Sequence, residues 1–240
     1  MRPVLKIKWP EDDGIPRSYN PHTKAKNDLE GNLGFYCSYC EVFSSDLEVE
    51  HVISRDQDHT LSHDWDNFLV ACGRCNGRDN KSNRLVDLGT MHFPHRNNTF
   101  LSFIYMEGGY VIVNPALTGS ESFTHAENLL NLIGLDKIPG NPKYPNLNQN
   151  DTRWKHRRVA WELAVKYLPK FESGDLTAAE IAEFASQKGF FSVWYTVFNA
   201  YPTVKQALIQ IYSGTAVNCF DPDNTFQPIP RNPHIHADPI

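Results

Sequence analysis

The sequence predicts an α+β protein: a small hairpin unit clamped by cysteines, then a second hairpin, then a mainly helical C-terminal region. Three observations predict it. Two CxxC pairs, Cys37/Cys40 and Cys72/Cys75, bracket the strand-like runs "DLEVEHV" and "NFLVA". The segment "TFLSFIYMEGGYVIVNP" alternates apolar and polar residues on both sides of Glu107-Gly108-Gly109, a hairpin pattern. After residue 120 the apolar period turns helical.

Residues 1 to 33 are rich in Pro, Gly, Asn and charge, with one apolar alternation at Val4-Leu5-Lys6-Ile7, and read as an extended arm: an edge strand followed by loop. Residues 34 to 90 read as strand, polar loop, strand and helix, the helix running through "CGRCNGRDNKSNRLV". Residues 91 to 240 hold the second hairpin and the helices. "SFTHAENLLNLIGL" puts Leu129, Leu132 and Ile133 on one face and stops at Gly134. "NDTRWKHRRVAWELAVKYLPKF" places Trp154, Trp161, Val165 and Leu168 on one stripe and ends at Pro169. Thr177 and Glu180 form a capping-box pair opening a helix that closes at Gly189. A further helix through "FSVWYTVFNAY" breaks at Pro202 and resumes to Ser213, and the last residues are a Pro-rich tail.

A chain of 240 residues can bury a core without staples. Its 40% hydrophobic and 21% charged content and mean hydropathy of −0.47 exclude a disordered or fibrous class. The start "MRPVLKIKWPEDDGIP" has no apolar stretch of signal-peptide length, and no run is long enough to span a bilayer, so a cytoplasmic protein without membrane association is expected. The net charge of −5 argues against strong unaided binding to nucleic acid, unless basic residues cluster or a partner brings them.

Four cysteines in two CxxC pairs can surround Zn²⁺ tetrahedrally, which leaves no open position and makes such a zinc structural. The long spacer from Cys40 to Cys72 holds "LEVEHVISR", whose residue types suit phosphodiester hydrolysis. That reaction needs an in-line water, a base and a cation at the phosphate. Glu50 is a hard oxygen ligand for Mg²⁺ or Mn²⁺ and Asn76 a neutral one; His51 can take the proton, with Asn67 fixing its tautomer. Successive strand residues face opposite sides, so Glu50 and His51 can share a cleft only where the strand ends.

Here "CSYC", "EVEHV", "WDNFLVACGRCN" and Lys81 resemble the HNH endonuclease signature, across about a quarter of the chain. The resemblance implies a ββα-metal module with a four-cysteine zinc site, His51 as general base, Asn67 as the Asn that orients it, and Glu50 and Asn76 as ligands of the catalytic metal. Many family members carry Asp before the histidine and His at the last position; Glu50 and Asn76 replace them here. "VNPALTGSESFTHAENLLNLIGLD", "DTRWKHRRVAWELA" and "GFFSVWYTVF" are similar to the C-terminal region of HNH subunits encoded beside an ATPase in Septu-type and retron-linked antiphage systems. That likeness implies an effector nuclease in a hetero-oligomer with an ATPase, its substrate DNA or structured RNA.

Arg74, Arg78, Lys81 and Arg84 have two readings, phosphate contacts or a solvated helix face, while Arg55 has the better position for phosphate. The basic run Arg153, Lys155, Arg157, Arg158 reads as a solvated face over a packed stripe. His59 and His63 read as solvated loop residues and Cys219 as a small buried hydrophobe. His92, His95, His234 and His236 carry no metal assignment. Two rivals stand beside the DNA endonuclease: an RNase on the same motif, for example one cleaving tRNA, and a non-catalytic zinc-ribbon adaptor.

Overall fold

The computed structural model describes residues 1–147, 150–234 and 240, which leaves His236 outside the described residues. Near the N-terminus a two-residue ladder pairs β1 (Glu11–Asp12) with β2 (Ile15–Pro16). A 3-10 turn over His22–Ala25 leads into helix α1 (Lys26–Leu33), which buries Leu29 and Leu33. Two leucines four residues apart in a polar stretch are a weak periodic signal. The reading of residues 1 to 33 as strand and loop is therefore corrected: 26 to 33 are helical, and Val4 makes only an isolated bridge to Thr215.

Strands β3 (Leu47–His51) and β4 (Phe68–Cys72) pair antiparallel, Leu47 opposite Cys72 and His51 opposite Phe68. The helix expected through Val86 is a single turn, α2 (Gly73–Asn76). Gly77 leaves it with extended backbone (φ −78°, ψ 172°). Non-helical partners then take the turn's free carbonyls: Asn80 Nδ2 donates to Arg74 O at 2.7 Å and the Lys81 N–H to Cys75 O at 3.2 Å.

A short helix α3 (Thr99–Ser102) precedes the second hairpin, β5 (Phe103–Met106) with β6 (Tyr110–Val113), which turns where expected. Gly109 adopts φ +83° and lies against the backbone at Trp154; a Cβ there would come within 2.3 Å of Trp154 O. Phe103, Tyr105, Val111 and Val113 face the core. Ile104, Met106, Tyr110 and Ile112 face outward, 37% to 46% exposed.

Helix α4 (Glu121–Ile133) starts at a Ser120 cap and ends at Gly134 in the left-handed region. Helix α5 (Arg153–Glu172) continues past Pro169 for three residues, because Ser173 N–H bonds Pro169 O at 2.9 Å and Val165, whose carbonyl the proline cannot serve, is exposed. Its buried stripe is Arg153, Arg157, Ala160 and Ala164, one residue away from the expected tryptophan stripe. The solvated reading of the basic run is thus corrected for Arg153 and Arg157; Lys155 and Arg158 are exposed. Arg157 donates to the carbonyls of Gly109 and Leu135 at 3.0 and 2.6 Å, tying α5 to the hairpin turn.

Helix α6 (Ala178–Lys188) has the Thr177–Glu180 capping box. Helices α7 (Phe191–Val197) and α8 (Pro202–Ile211) come next, with Pro202 at the first position of α8, where its missing N–H costs nothing. The tail contains a last ladder, β7 (Phe220–Asp221) with β8 (Gln227–Pro228), and Cys219 is buried. One apolar cluster joins the cysteines, β3, β4, α1, α4 and the second hairpin; another joins α5 to α8 through Phe191, Trp194, Tyr195 and Phe198. No helix among the described residues is long and apolar enough to cross a membrane.

His95 carries a pH prediction. Its Nδ1 is buried without a partner among the described residues, and burial pushes the imidazole down to about 3, with Lys6 and Arg96 opposing the charge further. The unfolded chain binds this proton below about pH 6.5 while the folded chain does not, so stability falls as pH drops through that window. Because the ring keeps some exposed edge, wild type is expected to lose about 1–2 kcal/mol more than His95→Gln between pH 7 and pH 5. Paired urea melts check this; equal losses contradict it.

Candidate functional site

The Sγ atoms of Cys37, Cys40, Cys72 and Cys75 lie within 4.8 Å of one another, with Cys40 and Cys72 3.7 Å apart. A zinc tetrahedron with bonds of about 2.3 Å has edges of about 3.8 Å, so the four-thiol set fits zinc. Backbone geometry builds the pocket. Cys37 N–H bonds Val42 O and Ser38 N–H bonds Val70 O, which stitches the first knuckle to β4. Arg153 aims Nη1 at Cys75 Sγ from 3.3 Å while paired with Asp151 at 2.7 Å, and a buried cation directed at sulfur suits a thiolate.

At the far end of the hairpin a polar cleft of ≈ 220 Å³ brings Glu50, His51 and Asn76 together. His51 is the last residue of β3, so the alternation that would separate it from Glu50 ends there. Glu50 is 1% exposed; its Oε1 pairs with Lys81 Nζ at 2.6 Å and accepts from the Tyr39 hydroxyl at 3.3 Å. Burial pushes the Glu50 carboxyl up to about 7, against the pull of Lys81 in the opposite direction. Asn76 donates Nδ2 to Glu48 at 2.7 Å, which leaves its oxygen for the cleft.

The His51 ring places Nε2 3.0 Å from the Ser62 carbonyl and packs edge-on to Phe68. Burial lowers its pKa, partly offset by that carbonyl, with His22 and Arg55 adding to the lowering. Among the described residues Asn67 makes no hydrogen bond to the ring. It exchanges bonds with Ile53 (Ile53 N–H to Oδ1 at 2.8 Å, Nδ2 to Ile53 O at 2.9 Å) and donates to Leu61 O at 3.3 Å. Asn67 therefore shapes the loop that presents the Ser62 carbonyl.

Of the five basic candidates, Arg74 pairs with Asp79 at 3.0 Å, and the other four separate. Arg55 is exposed and lines the cleft. Arg78 is exposed, beyond the one-turn helix. Arg84 donates to the carbonyls of Asn131 and Leu132 at the end of α4. Lys81 is fully buried and bonds His51 O at 2.6 Å as well as Glu50, so it is an internal counterion rather than a surface phosphate contact. Lys81→Met is expected to cost about 3–5 kcal/mol above pH 8, because Glu50 stays buried with its countercharge gone. Without Lys81 the carboxyl titrates higher still, so the loss shrinks as pH falls and Glu50 takes up a proton. Urea melts at pH 6 and 8.5 measure it; a pH-independent loss contradicts it.

Sequence reasoning missed four residues of the site. Tyr39 and Glu48 hold Glu50 and Asn76. Ser54 is 4% exposed, lines the cleft and has no partner for Oγ among the described residues. His22 lines the same cleft from the turn before α1. Glu48, two residues from Glu50, shares its strand face and was readable; His22 was not, since nothing local ties it to the hairpin.

A comparison with curated proteins gives no match. Residues 35–82, which hold both cysteine pairs, Glu50, His51, Asn67, Asn76 and Lys81, match the family model described as HNH endonuclease, and this match supports the HNH family for that segment.

Proposed function

We propose that this protein is a metal-dependent HNH endonuclease hydrolysing phosphodiester bonds, built on a zinc-braced ββα-metal module. The observation that carries the reading is the convergence of Glu50, His51 and Asn76 on one polar cleft within the matched segment. Glu50 through Oε2 and Asn76 through its oxygen would hold Mg²⁺ or Mn²⁺, since Oε1 is already engaged by Lys81 and Tyr39. When bound, that cation neutralises charge on the phosphate and the leaving oxygen.

His51 supplies the base. A carbonyl only accepts, so the bond to Ser62 O places the proton of the neutral ring on Nε2 and leaves the Nδ1 lone pair free. Nδ1 takes a proton from the attacking water, and the Ser62 carbonyl stabilises the resulting imidazolium. Asn67 holds the loop that keeps this tautomer. Water attacks phosphorus in line with the 3′ oxygen, which leaves 5′-phosphate and 3′-hydroxyl ends. Arg55 stands at the rim for a flanking phosphate.

The protein acts as the effector subunit of an ATPase-coupled antiphage complex. Support comes from the likeness of its C-terminal segments to such subunits, from the net charge of −5, and from the outward apolar face of the second hairpin, Ile104, Met106, Tyr110 and Ile112. Purified wild type and His51→Ala are to be incubated, with and without the product of the neighbouring gene, with plasmid, single-stranded DNA and total RNA under Mg²⁺ and Mn²⁺. Cleavage by wild type alone of the two supports the reading, and the cut polymer separates DNase from RNase. Equal cleavage rejects it, and no cleavage in any arm rejects it in favour of an adaptor.

A further inference from the structure

We propose that His22 is a second substrate-contacting histidine of this cleft, donating a ring N–H to a non-bridging oxygen of the phosphodiester that His51 serves. The inference rests on the nuclease reading and extends the site beyond residues 35–82, the segment matched to the family.

The ring of His22 stands 4.7 Å from that of His51, centroid to centroid, at 57°, and both line the cleft. Its position is built rather than incidental. Ala25, the end of its turn, is fully buried, and α1 anchors that turn by burying Leu29 and Leu33 in the cluster that holds β3 and β4. The charged and titratable side chains acting on the His22 ring are Arg55 and His63, with His51 facing it across the cleft. Two imidazoles and a guanidinium thus gather at the cleft, and the one carboxylate lining it among the described residues, Glu50, is paired with Lys81 through Oε1. With His51 serving as the base, His22 and Arg55 are the donors of this group, and such donors suit an anion. Ser54 adds the independent observation: a hydroxyl on the same wall, 4% exposed, whose Oγ has no partner among the described residues. A phosphodiester oxygen would satisfy both, and a neutral imidazole always has one N–H to give.

The test uses the full chain, Mn²⁺ and bis(4-nitrophenyl) phosphate, a small phosphodiester needing no sequence recognition. His22→Ala is expected to lower kcat/KM by about 10- to 100-fold, the worth of a hydrogen bond to a charged group. His22→Gln, which keeps an N–H donor, is expected to recover part of it. Zinc content and thermal melts stay at wild-type values. Wild-type rates in His22→Ala, or no recovery in His22→Gln, overturn the role of His22 while His51→Ala stays inactive and the nuclease reading stands. If His51→Ala is as active as wild type, or nothing is hydrolysed, the nuclease reading fails instead. Imidazole NMR with dimethyl phosphate then decides His22 without turnover: a shifted His22 resonance and weaker binding by His22→Ala support the contact, and an unmoved resonance overturns it.

Discussion

Replacing His51 by alanine is expected to slow phosphodiester cleavage by about 10²–10⁴-fold, the usual worth of general-base catalysis, without unfolding the chain. The ring contributes little to folding: it ends β3, is half-buried, and meets the core through an edge contact to Phe68 at 5.0 Å. Asn67 holds the loop around it at Ile53 and Leu61, so the loop keeps these ties when the imidazole's bond to Ser62 O is lost. Single-turnover cleavage at saturating Mn²⁺, with melts on the same samples, separates the two effects. A variant that loses activity only because it melts would contradict the assignment, as would one that keeps its rate.

The second large effect is loss of zinc. Cys72→Ser, or stripping with a chelator, is expected to unfold the hairpin, since zinc binding in such sites is worth about 10–16 kcal/mol and is itself folding energy. Domains are stable by only about 5–15 kcal/mol, so the loss is decisive. It also travels. Cys37, Cys40 and Cys75 are buried in the same cluster as β3, β4 and α4. Glu41, directly after the first knuckle, accepts the Ser192 N–H at 2.9 Å and so caps α7, joining the zinc site to the helical region. Far-ultraviolet circular dichroism and zinc release, monitored together, should change in step. Full signal in zinc-free protein would contradict the structural role.

What could be read from the sequence was whatever local chemistry dictates. Cysteine spacing reflects the size of a metal tetrahedron, and Thr177, Gly134 and Gly189 mark helix ends because unpaired backbone groups there need partners. Glu50, His51 and Asn76 were legible by residue type. What failed depends on partners far along the chain. Arg153 and Arg157 read as solvent-facing because burying a guanidinium requires Asp151, Cys75 and carbonyls from the ends of other elements. The motif helix read as long because nothing in its residues announces that Asn80 and Lys81 take over its carbonyls. Lys81 read as a phosphate contact or a solvated residue, because its pairing with Glu50 exists only across the folded hairpin.

The claim on which the rest depends is that Glu50 and Asn76 bind one divalent cation beside His51, separate from the cysteine cluster. Anomalous diffraction from crystals soaked in Mn²⁺ tests it most directly. The account predicts a zinc peak among Cys37, Cys40, Cys72 and Cys75 and a manganese peak bridging Glu50 Oε2 and Asn76 Oδ1. Manganese bound elsewhere, or a cleft empty at saturating Mn²⁺ with Glu50 still locked to Lys81, would contradict it.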